Sequence, residues 1–155
     1  MHFRTAVKAT MPAGAYQPGL KALSEKDRNR IHCQETRRLA GSVNLEKALR
    51  RAYRTDPIWD YGIGLRANAR DDRAIWVEVH PASSSHVGSM LKKAAWLRAW
   101  LKESSHALRD MTDRNMGFVW ISSGSINLLK SSPQARKPAQ AGIRYPSKLL
   151  DFDKC

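Results

Sequence analysis

Cysteine is almost absent: the 155 residues include two, Cys33 and the terminal Cys155, with no Cys-X-X-Cys pair. A disulfide framework is therefore excluded, and a reducing, cytoplasmic setting is the expectation. Cys33, His80, His86 and His106 could ligate zinc, but they lack the paired spacing of such sites. No apolar run is long enough for a membrane span, and residues 1–20 mix Arg4 and Lys8 with Pro12, Gly14, Pro18 and Gly19. Neither an anchor nor a secretory leader is expected there. A phosphate-binding glycine loop, a dinucleotide fingerprint and a Gly-X-Ser-X-Gly elbow are also missing, which sets aside NTPase, dehydrogenase and serine-hydrolase chemistry. Internal repeats and low-complexity linkers do not occur, and the length suits one domain with a real core.

Acidic residues are scarce as well. Lys and Arg number 27 against 14 Asp and Glu, a net charge of +13. Such an excess points to a polyanionic partner, because a protein that covers phosphates releases their condensed counterions. The cations are spread along the chain and not collected in one tail, which favours a charged surface over a disordered basic arm.

What stands out against this background is a pair of alternating segments, Trp59-Asp60-Tyr61-Gly62-Ile63-Gly64-Leu65 and Ala74-Ile75-Trp76-Val77-Glu78-Val79-His80. Successive strand residues face opposite ways, so Trp59, Tyr61, Ile63 and Leu65 form one apolar row, matched by Ile75, Val77 and Val79. Asp60, Gly62 and Gly64 lie on the other face with Trp76, Glu78 and His80, and Gly62 would leave space beside the acids. A hairpin closed through the polar stretch 66–73 sets Asp60 opposite Glu78 or His80. Two carboxylates about 5 Å apart repel by roughly 3 kcal/mol at an effective dielectric near 20. Such a pair needs a metal ion, a basic neighbour or a raised pKa.

Around this hairpin, residues 1–20 read as an irregular arm and 21–155 as a single globular domain, with a short charged helix over 21–30. Asn44 caps a helix on which Leu45, Ala48, Leu49, Ala52 and Tyr53 follow the helical period, and Asp56-Pro57 ends it. A long helix from His86 to Ser105 carries an apolar stripe of Val87, Met90, Leu91, Ala94, Leu97 and Leu101, widened by Trp96 and Trp100 as core aromatics. Residues 117–122 suit a buried strand, Ser132-Pro133 starts a short basic helix, and residues 142–152 suit an extended piece along a sheet edge. The expected fold is α/β (α+β): a small mixed β-sheet with packed helices.

The order helix, strand, strand, helix, strand, with an acid on one strand and Glu-X-His on the next, resembles the core of the PD-(D/E)XK nuclease superfamily, the restriction-endonuclease-like fold, over roughly residues 44–124. The resemblance implies a magnesium or manganese ion held by Asp60 and Glu78, with the Val79 carbonyl as an extra ligand, and a lysine that activates water or stabilises developing charge. His80 stands where that lysine belongs. Either His80 serves as base or third ligand, or Lys92 or Lys93 reaches in from the following helix. Some members also carry an acid on the first helix, for which Glu46 is the nearby candidate. The implied activity is phosphodiester hydrolysis, with Arg50, Arg51, Arg54, Lys92 and Lys93 contacting phosphates.

The expected partner is nucleic acid, DNA before RNA, and the charge is compatible with a homodimer or a larger nucleoprotein complex. Two rivals remain: metal-free ribonuclease chemistry by His80 and His86, and a basic protein that binds nucleic acid without cutting it.

Overall fold

The computed structural model describes residues 1–154, so Cys155 lies outside it. In chain order the elements are α1 (Phe3–Thr10), β1 (Tyr16–Gln17), α2 (Glu25–Arg28), β2 (Ile31–His32), β3 (Leu39–Asn44), α3 (Leu45–Leu49), β4 (Tyr61–Arg66), β5 (Asp72–Ser83), α4 (Val87–Ser104), α5 (His106–Met111), β6 (Phe118–Asn127), α6 (Pro133–Gln140) and β7 (Leu150–Asp151). Five strands form one mixed sheet in the order β1-β3-β4-β5-β6, antiparallel throughout except for the parallel β5–β6 pair. Strands β2 and β7 pair in parallel as a separate ribbon. The fold is α+β, with a mixed sheet and several helices.

Alternation along β4 and β5 sorts side chains as the period of two requires. Tyr61, Ile63, Leu65, Ile75 and Val77 face one core with Val119 and Ile121, under Leu23, Ile31, Leu150 and Phe152. On the reverse face Trp76, Phe118 and Trp120 meet α1, α4 and α5 through Phe3, Met90, Leu97 and Leu108. Both faces are therefore covered. Trp59 departs from the expected row. It precedes the strand, joins the second core and stacks edge-on against Phe118 at 5.6 Å between ring centroids.

The largest departure lies at the N-terminus, where the expected arm is a docked helix. Phe3, Ala6 and Val7 are buried, and the Phe3 N–H donates to the buried Asp72 carboxylate at 2.7 Å. Phe3, Val7 and Met11 keep the helical spacing, but the proline and glycine residues that follow mask so short an element. Strand β3 was also not anticipated. It pairs with β4 so that Asn44 lies opposite Tyr61. Helix α3 begins at the expected cap, since the Asn44 side chain accepts from the Lys47 N–H. It stops after five residues because the Arg50 guanidinium donates to the carbonyls of Tyr53, Arg54 and Asp56, curling the chain around itself.

The long helix, the basic helix and the C-terminal extended piece lie where expected, whereas the charged helix of 21–30 is confined to Glu25–Arg28 and α5 was not anticipated. Helix α4 is the predicted long helix, with Met90, Ala94, Leu97, Trp100 and Leu101 buried, and Ser132 caps α6 through the Ala135 N–H. Residues 142–152 run beside the outer edge of β6, bridging at Phe118–Ile143 and Ile121–Ser147.

Gly62 leaves no void. A Cβ there would lie 2.5 Å from the Trp76 ring, and one on Gly64 would lie 2.4 Å from the Phe3 ring. These contacts let an aromatic side chain lie flat against the strand. Gly64→Ala should lower unfolding stability by about 1–3 kcal/mol through overpacking of α1 against β4. Urea denaturation would measure this, and an unchanged midpoint would show that α1 docks too loosely to feel a methyl group.

Candidate active site

Asp60 sits one residue before β4. The register Tyr61 opposite Val77 continues to place it beside Glu78. The contact is direct: the Asp60 N–H donates to Glu78 Oε1 at 2.9 Å, and the Val79 N–H donates to Asp60 Oδ2 at 3.0 Å. Within a strand the N–H and C=O of one residue point the same way, so the Val79 carbonyl also faces the side of Asp60. Strand β5 runs past the start of β4, and this overhang presents main-chain groups to the acids.

Glu78 is fully buried, with 0% of its surface exposed. Its second oxygen, Oε2, lies 2.6 Å from Lys93 Nζ and 3.4 Å from His80 Nδ1. Of the two candidate lysines, Lys93 is the one that reaches in, while Lys92 stays exposed. Helical spacing explains the choice. Lys93 is three residues after Met90 and four before Leu97, both buried on the sheet side of α4, so it shares their face. A lysine from the following helix therefore contacts Glu78 Oε2 alongside His80.

Burial pushes the Asp60 carboxyl up to about 7, with the Glu78 charge as the next cause, while Lys93 and the Val79 N–H pull it down. Two carboxylates and one ammonium leave one unbalanced negative charge, and a proton on Asp60 removes it. The other candidates separate clearly. The Arg50 guanidinium is committed to both oxygens of Glu46, at 2.6 and 2.8 Å, and to three carbonyls. It is a clamp on the chain and not a phosphate contact, and Glu46 is equally occupied. Arg51, Arg54 and Lys92 are exposed.

His80 and His86 meet edge to face, 5.1 Å between ring centroids. His86 Nδ1 lies 2.7 Å from the Ser83 hydroxyl, and His80 Nε2 is buried without a partner. Trp96 and Trp100 are accounted for in packing, stacked 6.3 Å apart with the Trp96 indole N–H donating to Asp56.

A metal can be tested against this geometry. Asp60, Glu78 and the Val79 carbonyl are oxygen donors of the kind a hard divalent ion takes, and both Glu78 oxygens already accept, one from the Asp60 N–H and one from Lys93. His80 does not complete a three-ligand group with them. Among the described residues, the one group of three His, Cys, Asp or Glu ligand atoms within 4.8 Å of one another is His32, Asp151 and Asp153, beside the β2–β7 ribbon. Sequence reading missed that cluster, because its members are brought together only by the pairing of His32 with Asp151. The suggested set of Cys33, His80, His86 and His106 does not assemble either.

No protein-family model, curated protein or solved structure matches this chain. Among the described residues no helix is long and apolar enough to cross a membrane.

Two outcomes follow from the electrostatics. Below the unfolded value of 3.8 both states hold the Asp60 proton, and between there and about 7 only the folded state does. Stability should therefore fall as pH rises through that window and level off above it. Asp60→Asn removes the penalty, so it should be more stable than wild type at pH 8 by about 2 kcal/mol or more and indistinguishable at pH 4. Calorimetry at the two pH values would read the difference. Lys93→Met should cost about 3–5 kcal/mol by stranding the buried Glu78 charge. Adding Glu78→Gln should restore most of that loss, and strictly additive effects would mean that the two groups do not interact.

Proposed function

We propose that this protein is a nucleic-acid-binding, metal-dependent phosphodiester hydrolase, related in its site to the PD-(D/E)XK nucleases. The observation that carries this reading is the convergence of Asp60, Glu78 and Lys93 at one end of the sheet, in a chain with a net charge of +13. The pattern suggested a missing lysine at position 80, and an ammonium stands in the same neighbourhood, 2.6 Å from the second acid.

Asp60, Glu78 and the Val79 carbonyl are the groups that would hold magnesium or manganese. When bound, such an ion polarises a phosphoryl oxygen and lowers the pKa of an attacking water. Lys93 supplies a fixed positive charge beside the position where negative charge develops on the phosphate. His80 points Nδ1 toward Glu78 Oε2, and its Nε2 is buried without a partner. Asp60 must lose its own proton to serve, so ion binding should strengthen as pH rises toward and past 7. DNA is the favoured substrate, the cytoplasm the favoured setting, and a homodimer or nucleoprotein assembly is compatible with the exposed charge.

A second reading has its own observation. Lys93 together with the Asp60 proton already balances the acids, so the site is stable without an ion and could be a structural relic in a basic binding protein.

Labelled DNA and RNA, single- and double-stranded, incubated with magnesium, with manganese and with EDTA, separate the readings. The hydrolase predicts cleavage that EDTA stops and that falls at least about 100-fold in Asp60→Ala and Glu78→Ala, the loss expected when electrostatic stabilisation of the transition state is removed. Cleavage of RNA alone that resists EDTA would move the chemistry to His80 and His86. Salt-sensitive binding without cleavage would establish the binder. Independently of turnover, magnesium should raise the melting temperature of wild type at pH 8 and leave Asp60→Asn unmoved.

A further inference from the structure

Beside Asp60 the sheet carries a second feature of different character. The turn after α1, the short helix α3 and the turn after it border an open cavity of about 570 Å³ whose walls include Pro12, Ala15, Lys21, Asn44, Lys47 and Arg51. Its volume lies in the range of pockets that hold a small organic ligand. Its floor is built of alanine, glycine and proline, and three cations surround it.

The charge is one-sided. No carboxylate lines this cavity, whereas the cavities near Asp71–Arg73 and near Asp113–Lys154 mix acids with bases. Among the described residues the side chains of Lys21, Lys47 and Arg51 make no ion pair or hydrogen bond, in contrast to Arg30, Arg50 and Lys93. Three unpaired cations around one hollow repel one another, and an anion placed among them relieves this. Past the same turn the positive line continues, with Arg4 and Lys8 over the Tyr16 ring at 5.6 and 6.0 Å.

The cavity wall is also joined to the main chain of Asp60, whose carboxylate lies on the other side, toward the Val79 N–H of β5. Asn44 is paired with Tyr61, and the Leu45 N–H donates to the Asp60 carbonyl at 2.8 Å. The wall that carries Lys47 and Arg51 therefore begins one strand spacing, about 4.8 Å, from the strand that Asp60 starts.

We propose that this cavity holds a nucleotide of a single-stranded nucleic acid, its phosphates set among Lys21, Lys47 and Arg51 and its sugar or base against the apolar floor, so that the adjoining phosphodiester is led toward Asp60. A recess of this kind admits a flexible strand directly. A duplex would have to extrude a nucleotide at a cost of a few kcal/mol. The proposal rests on the hydrolase reading for its direction but not for its binding, and the two can fail separately.

The test is fluorescence anisotropy with a labelled single-stranded oligodeoxythymidylate in EDTA, where metal-dependent cleavage is silent, across a range of salt. Replacing Lys21, Lys47 and Arg51 together by alanine should weaken binding at least tenfold and flatten the slope of log K against log salt by about 2, because single strands contribute roughly 0.7 per neutralised phosphate. A control that removes the same charge at Lys102, Arg136 and Lys137 should change binding much less.

Ala48→Phe fills the cavity and leaves the charge intact, and it too should weaken binding. Circular dichroism would confirm that each variant is folded. The pocket is overturned if the triple variant matches its control, if Ala48→Phe binds like wild type, or if a duplex of the same length binds more tightly than the single strand. Absence of metal-dependent cleavage, with these binding effects intact, would remove the hydrolase and leave the pocket standing.

Discussion

A buried carboxylate governs this end of the molecule. Glu78 has no exposed surface, and an ionised acid in that position is tolerable only if it is paired and hydrogen-bonded. The Asp60 N–H satisfies one oxygen and Lys93 the other, with His80 alongside. Each partner comes from a different element, so one charge ties together the start of β4, the end of β5 and the second turn of α4. The helix can deliver its lysine only because Met90 and Leu97 seat it on the sheet. Packing and electrostatics are thus mutually dependent here. The apolar stripe aims the ammonium, and the ammonium makes the buried acid bearable.

The arrangement is nearly neutral but not quite. Lys93 offsets one of two acids, and burial, followed by the Glu78 charge, pushes the Asp60 carboxyl up to about 7. Exchanging that proton for a divalent ion would take the site from neutral to one positive charge, which an approaching phosphate offsets. The two proposed readings share this physics and differ only in whether the exchange is used.

Much of this was legible from residue order. The period of two in residues 59–65 and 74–80 gave the hairpin and the face its acids share, and left open whether Glu78 or His80 lies opposite Asp60, which the pairing of Tyr61 with Val77 decides. Helical arithmetic also bears on the lysine: position 93 shares a face with 90 and 97, and position 92 does not. What escaped was whatever depended on distant chain. Helix α1 is eight residues long and gains its stability from Phe3 and Val7 in a core built elsewhere. Tertiary burial of that kind leaves little local signal. Trp59 broke the alternation because it belongs to the approach to β4 and not to the strand. Arg50 looked like a free surface cation, since nothing local revealed the three carbonyls that gather around it.

That last case suggests how to weigh a basic surface. Net charge alone does not distinguish cations that hold the protein together from cations left for a partner, and the division here is spatial. Arg30 and Arg38 donate to carbonyls of Ser122 and Phe152, and Arg50 and Lys93 hold acids or turns in place. Lys21, Lys47 and Arg51 do none of this, yet they surround one hollow. Arg50 and Arg51 are adjacent in sequence and opposite in role: Arg50, the C-cap of α3, is held by Glu46 and three carbonyls, whereas Arg51, in the turn that follows, is exposed beside the cavity. One side chain turns inward to cap the chain that leads to Asp60. Its neighbour turns outward to the cavity beside it, so a single short segment both fixes the acid and offers a positive charge next to it.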